Sequence, residues 1–303
     1  AQQEDDGDPQ ASLETIEALL GRLRGHDLAG IHLLELHLHR LQVLMSLGRY
    51  SQVVDACSRA QVLLERVLPS WGKFFRTTLH MEGAYCAVYL DPRPETAGRL
   101  LESLEPIDLP GTMRFIARSV RGELELTRGN VRTAALIQRV SLRYAGNWRS
   151  ILGSGSQWEL YILSMCLVTD VELSPDDAVE LDARAVRARA TSLLREILSD
   201  PAPRQRDIPT LMAFAAAVGL SAVAAEDVGS DRRAVGGELV ATALAVGTNQ
   251  TCRLLSHDYL RSRTERLDAP ALGQAEERIR GLDRSGLVAH AADLAGRLAG
   301  EVG

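Results

Sequence analysis

Leu47-Gly48-Arg49-Tyr50 leads into a stretch that reaches Ala60, and Arg128-Gly129-Asn130-Val131 leads into one that reaches Ala134. The same order returns as Gly229 ahead of Ala234 and Ala241, and as Ser285-Gly286-Leu287-Val288 ahead of Ala291 and Ala295. A glycine ends a helix by taking up left-handed backbone that strains other residues, and small residues on the next helix let it pack closely against its partner. The recurrence predicts stacked helical hairpins joined at glycine turns. No stretch alternates with period two and strong β-branching, so the expected class is all-α, a superhelical array of antiparallel hairpins.

Outward from these turns, three-and-four spacing of apolar residues places the helices. Residues 1–10, with Glu4, Asp5, Asp6 and Asp8 and no apolar face, are expected to be disordered. Ser12 is placed to cap a helix over 13–23. A first hairpin is expected over 31–47 and 51–67, and a second over 71–90 and 94–104, broken by Asp91-Pro92-Arg93-Pro94. A third covers 112–127 and 131–144, and a fourth 148–169 and 175–199, the latter started by Ser174-Pro175-Asp176-Asp177. The stretch 200–209, with Pro201, Pro203 and Pro209 among charges, reads as a hinge between helical repeats over 11–199 and 210–303. Beyond it a fifth pair covers 210–225 and 232–246, and tail helices are expected over 250–267, 272–281 and 286–299. Terminal units must hide their apolar faces, and the apolar 286–299 helix offers a route to homo-oligomers.

Composition narrows the function. A hydrophobic fraction of 46% supports a buried core, and charged residues at 24% suffice to solvate the outer helix faces. The formal net charge of -6 argues against direct nucleic-acid binding, which needs clustered Lys and Arg to neutralise phosphates. Aromatic residues make up 4%, too few for a base-stacking surface, so Trp71, Trp148 and Trp158 read as wedges between units or as ligand anchors. Cys57, Cys86, Cys166 and Cys252 form no CxxC pair, which suggests reduced, buried thiols. The richest apolar window, 211–225, contains Gly219, is too short to span a bilayer comfortably and reads as a buried helix. With no signal-peptide pattern at the start, a cytoplasmic protein without membrane contact is expected.

The series Gly48, Tyr50, Ala60 and the series Gly122, Gly129, Ala134 resemble the tetratricopeptide repeat, in which a small residue on the first helix admits the second. Gly122 and Ala222 stand where that small residue belongs, whereas Leu41 departs from the pattern. Lys73 is the only lysine, and the abundance of Arg, Ala, Gly and Val looks like high-GC actinobacterial coding. Degenerate repeats of this composition resemble the sensory or C-terminal helical regions of LuxR-type and antibiotic-regulator-type transcriptional regulators. The resemblance implies a non-catalytic module without a cofactor, binding a protein, peptide or small effector in a concave groove. No GxxxxGK[ST] loop accompanies it. By the family's pattern the groove is lined by the first helix of each pair: Glu35, Leu38, Gln42 and Met45, then Thr77 and His80, then Ile116, Ser119 and Glu123. The same positions also suit plain packing or solvation.

Candidate chemistry remains open beside this reading. His26, His32, His37 and His39 are dense, and His32, Glu35 and His39 fall three and four apart on one helix face, a spacing that fits metal ligation or half-buried imidazoles. His257-Asp258 and His290 with Asp293 are fragments of acid-base pairs, and Asp176-Asp177 is either a diphosphate-binding pair or a helix cap. An all-α enzyme or metal-binding protein built on these groups is the alternative function. Arg184, Arg187, Arg189 and Arg195, like Arg261, Arg263 and Arg266, alternate with acids and read as solvated faces.

Overall fold

The computed structural model describes residues 9–23, 30–49, 51–53, 56–57, 59–60, 63, 95, 98, 101–102, 111–152, 157–199, 208–249 and 253–300. Every regular element among them is helical. The chain divides into two compact units, Ala1–Asn130 and Val131–Gly303.

In the first unit, α1 (Pro9–Arg22) packs on α2 (Gly30–Ser46), and α3 is Gly111–Thr127. Leu13 and Ile16 on α1 and Leu34, Leu41 and Leu44 on α2 are buried, the three-and-four spacing that makes one apolar seam. Arg40 on α2 crosses to Glu17 on α1 at 2.8 Å. The helix α1 starts earlier than expected, so Ser12 lies inside it and is buried rather than capping it.

The turns that announced the fold behave as the glycines require. After α2 the Gly48 N–H donates to Met45 O and the Arg49 N–H to Leu44 O, with Gly48 at φ 68°. After α3 the Gly129 N–H donates to Leu126 O and the Asn130 N–H to Glu125 O, with Gly129 at φ 81°. Both are the paired six-to-one and five-to-two closure that satisfies the last carbonyls of a helix. Ala60 and Ala134 beyond them are fully buried. The other two glycines differ: Gly229 caps the start of a helix at φ -63°, and Gly286 lies within one. Left-handed glycines in that half are Gly247 and Gly281.

The second unit contains α4 (Val131–Leu152), α5 (Gln157–Asp170), α6 (Pro175–Glu180), α7 (Ala183–Leu198), α8 (Ile208–Ala224), α9 (Ser230–Val246), α10 (His257–Ile279) and α11 (Arg284–Ala299). Its centre is α8, buried continuously from Leu211 to Val223, as the apolar 211–225 window predicts. Across it lies α9, and the two backbones touch at Gly219 and Gly236. A Cβ on Gly219 would come within 2.5 Å of Gly236 O, and one on Gly236 within 2.7 Å of Gly219 O. Around this pair α5 packs on α8, and α10 and α11 pack on α9. Ala241, Leu272, Ala275, Ile279 and Leu287 form the apolar cluster where these last helices meet α9.

Three features depart from the expected order. The helix predicted over 175–199 is two, because Asp182 adopts left-handed backbone (φ 54°) and starts α7 by accepting the Ala185 N–H. The break expected between 131–144 and 148–169 falls later, α4 running to Leu152 and α5 starting at Gln157, whereas the break expected between 250–267 and 272–281 is present as a bend within α10 at Asp268, the Asp268 Oδ1 accepting the Ala271 N–H at 3.0 Å. Pro270 explains the bend, since it has no N–H and crowds the turn before it. Finally, α11 packs on α9 and on α7 rather than along α10, so the C-terminal unit closes on itself where a linear stack would touch only neighbours. The same contacts place helices from both sides of the expected 200–209 hinge in one unit, residues 200–207 lying outside the described ones.

No described helix is long and apolar enough to cross a membrane.

Candidate functional site

Where α5, α6, α7 and α8 end or begin, they leave a half-open cleft of about 530 Å³. Its apolar wall includes Leu167, Val171, Leu173 and Ala224, and its rim carries Asp170, Asp182, Arg184, Arg187, Glu226 and Asp227. The site exists because four helix ends converge there. Helix ends leave backbone groups unmatched, so polar side chains gather where the apolar seams stop.

Most charged groups on this rim are set by a neighbour. Asp170, at the end of α5, is gripped by Arg139 of α4 through Nη1 at 2.8 Å and Nη2 at 3.0 Å. Burial pushes its carboxyl above the usual range, and Arg139 opposes that shift. Arg139 also donates from Nε to Leu181 O at 2.7 Å, pinning the turn between α6 and α7. Across the cleft Arg187 of α7 donates to both carboxylate oxygens of Asp227, at 2.6 and 2.9 Å, and Arg184 stands 3.8 Å from the same group. Of the arginines read from the sequence as solvated faces, Arg184, Arg195, Arg261 and Arg266 are exposed as expected, while Arg187, Arg189 and Arg263 each reach a carboxylate far along the chain. Arg189 reaches the buried Glu159 at 2.8 Å, and Arg263 reaches Glu172 at 2.8 Å, whose other oxygen accepts from Tyr259 at 2.9 Å. These partners lie 30 to 91 residues apart, beyond any local spacing rule.

A second buried cluster sits under α9. Glu238, 9% exposed, accepts from Arg278 of α10 at 2.9 Å and from His290 Nε2 of α11 at 2.8 Å. The flanking arginine and histidine hold its carboxyl below the ordinary value against the opposing effect of burial. One carboxylate thus anchors both helices that follow α9.

The residues expected to line a groove do not share one exposed surface. On α2, Glu35 and Gln42 are exposed and Leu38 is half-buried, but Met45 belongs to the core. On α3, Ser119 and Glu123 are buried, and burial pushes the Glu123 carboxyl well above its usual range. Thr77 and His80 lie outside the described residues, as does the Ile116 side chain. Met45, Ser119 and Glu123 face inward because their helices bury the stripe that a one-residue shift of register would have left open.

The histidine and acid pairs resolve locally. His32 Nδ1 lies 3.3 Å from Glu35 Oε2 on an exposed face, and His37 is half-buried with its pKa lowered by burial and by Arg40 and Arg59. His26 lies outside the described residues. Among the described residues no group of three or more His, Cys, Asp or Glu side chains is placed to hold a metal ion. His257 Nε2 accepts the Thr248 N–H at 3.1 Å, which needs a neutral ring, and burial lowers its pKa accordingly. His290 turns to Glu238 while Asp293 stands 4.0 Å from Arg297. Ser174 caps α6 by accepting the Asp177 N–H at 3.3 Å, and Asp177 also pairs with Arg132, which is the capping alternative for the 176–177 pair. Cys57 and Cys166 are buried free thiols, Cys166 pushed up to about 12 by burial.

No family model, curated protein or solved structure matches this chain.

Proposed function

We propose that this protein is a non-catalytic binding module that takes a peptide or small effector in the cleft between α5, α6, α7 and α8, as the sensory or interaction part of a bacterial transcriptional regulator. The observation that carries the reading is the cleft itself. Its volume of about 530 Å³ is that of a small-molecule site, and its apolar wall meets a rim of charged groups. Asp170 and Asp227 are each engaged by an arginine of another helix, an arrangement that positions walls rather than poising a base. Asp182 and Glu226 at the rim favour a ligand with an apolar body and amine or amide groups. The tetratricopeptide likeness enters at the level of the hairpin: the Gly48 and Gly129 turns and the small-residue seam of α8 on α9 support it.

Nile red, an uncharged apolar dye whose emission rises on burial, tests the site in the full chain. Saturable one-site binding is expected, weakened about tenfold or more by Ala178→Trp, which fills the cleft from α6 without disturbing a buried position. Binding that survives Ala178→Trp with unchanged affinity, or no saturable binding at all, removes the cleft as the ligand site.

A further inference from the structure

The wall contributed by α6 is built unlike the others. This helix has six residues, none of them buried, whereas α5 and α8 bury long apolar runs. A helix that short does not repay its own nucleation and must be held by its surroundings. Its packing is on α7, the helix that follows it.

Three devices hold it. At its start Ser174 caps it and Pro175 presets the first turn. At its end the chain reverses through Leu181, whose carbonyl is pinned by Arg139, and through Asp182 in left-handed backbone. Along its outer side Arg132 of α4 binds Asp177 and, at 2.5 Å, Glu180. The Ser174 hydroxyl and then Arg132 hold the Asp177 carboxyl below the usual range, Arg132 does the same for Glu180, and the two carboxylates raise the pKa of its guanidinium. The end near Asp182 is therefore anchored by a part-buried arginine, while the body is held by exposed charges. Meanwhile Pro175, Ala178 and Val179 line the cleft, and Val179 stands 82% exposed at its mouth.

We infer that α6 is a lid on the cleft, hinged at Leu181–Asp182 and latched by Arg132 on Asp177 and Glu180. Opening breaks exposed ion pairs and a weak helix–helix contact and moves no buried side chain of α6 itself, so the segment belongs to the low-stability end of the molecule. An apolar occupant gives Ala178 and Val179 a surface to cover, which favours the closed form once the ligand is in. The latch is sensitive to salt, because exposed pairs are screened while the Arg139–Asp170 anchor is not. The gating role rests on the cleft being the binding site; the motion of α6 does not.

Residue-resolved amide hydrogen exchange on the full chain tests it without a ligand. A helix this short frays once it leaves its supports, so the amides of Ala178, Leu181 and Asp182, which donate within the α6 turn, report its opening. Arg132→Gln is expected to speed their exchange about threefold to tenfold with α5 and α8 unchanged, and about 1 M salt to do the same in the wild type but add nothing in the variant. Arg132→Lys, which keeps the charge but loses the fork, restores part of the protection. Exchange at 178–182 that is as slow as in α5 and indifferent to salt and to Arg132→Gln overturns the lid. Nile red separates the two readings. Saturable dye binding with latch-independent exchange discards the lid and keeps the site. Latch-dependent exchange without dye binding discards the site and its gating, leaving only a mobile α6.

Discussion

The seam between α8 and α9 and the α6 wall of the cleft lie in one unit and are built on opposite principles. At the seam two glycines let backbone meet backbone, and α8 is buried from Leu211 to Val223. At the wall a six-residue helix buries nothing and is held by a cap, a pinned carbonyl and an exposed arginine. Close packing makes the first region intolerant of added volume, because dense interiors cannot absorb even one methyl group without strain. The second depends on charges that water and salt compete for. Rigidity and adjustability are thus separated within the same fold, with the cleft lying against both.

Substitutions that exchange these properties break or sharpen the contrast. The largest effect is expected at the seam: Gly219→Ala places a Cβ 2.5 Å from Gly236 O and 3.0 Å from Val240, contacts that only a backbone shift relieves. A loss of about 3 kcal/mol in urea unfolding is expected, despite the better helix propensity of alanine. A variant as stable as the wild type would show that α8 and α9 do not meet there.

An intermediate effect belongs to Glu238, which carries charge into the packed region. Glu238→Gln leaves Arg278 and His290 facing an amide and should cost about 2 kcal/mol near neutral pH. The pH dependence has a definite sign. The folded carboxyl titrates below its ordinary value of 4.5, so its contribution is full above that value and fades as pH falls through the lowered folded pKa. Wild type and variant should converge in acid, and a difference independent of pH would contradict the ion-pair role.

The smallest effect lies at the hinge. Asp182→Ala removes the cap on α7 and puts a Cβ without a compensating hydrogen bond at φ 54°, which should cost about 1 kcal/mol. Asp182→Gly, which suits that backbone, should lose only a few tenths. Equal losses in the two variants would show that the left-handed turn carries no strain.

The parts of this architecture legible in the sequence share one property: their cause lies within a few residues. Gly48 and Gly129 mark helix ends because the turn they close spans six residues. Ser174-Pro175 announces α6, and Pro270 together with Asp268 accounts for the bend between two predicted helices. Local reading fails where a nearer signal hides a more distant one. Ser12 resembles a cap, yet α1 begins at Pro9, and the continuous apolar spacing over 175–199 conceals the turn at Asp182. Among the candidate groove residues Met45, Ser119 and Glu123 belong to the buried stripes of α2 and α3, while Glu35 and Gln42 stay exposed, a difference of rotation about the helix that spacing alone leaves open. The cleft left no local trace, because Arg187 and Asp227 are 40 residues apart and look like ordinary surface charges singly.

By itself the sequence determined that the chain is helical, where several of its helices start and stop, and that 211–225 runs through the interior, since hydrogen bonding, capping and periodic burial act over one or two turns. Tertiary structure alone decided that α11 returns to α7, that Glu238 serves two helices and that four helix ends enclose a cleft. Those outcomes follow from which surfaces fit one another, and that complementarity is a property of pairs of segments far apart in the chain.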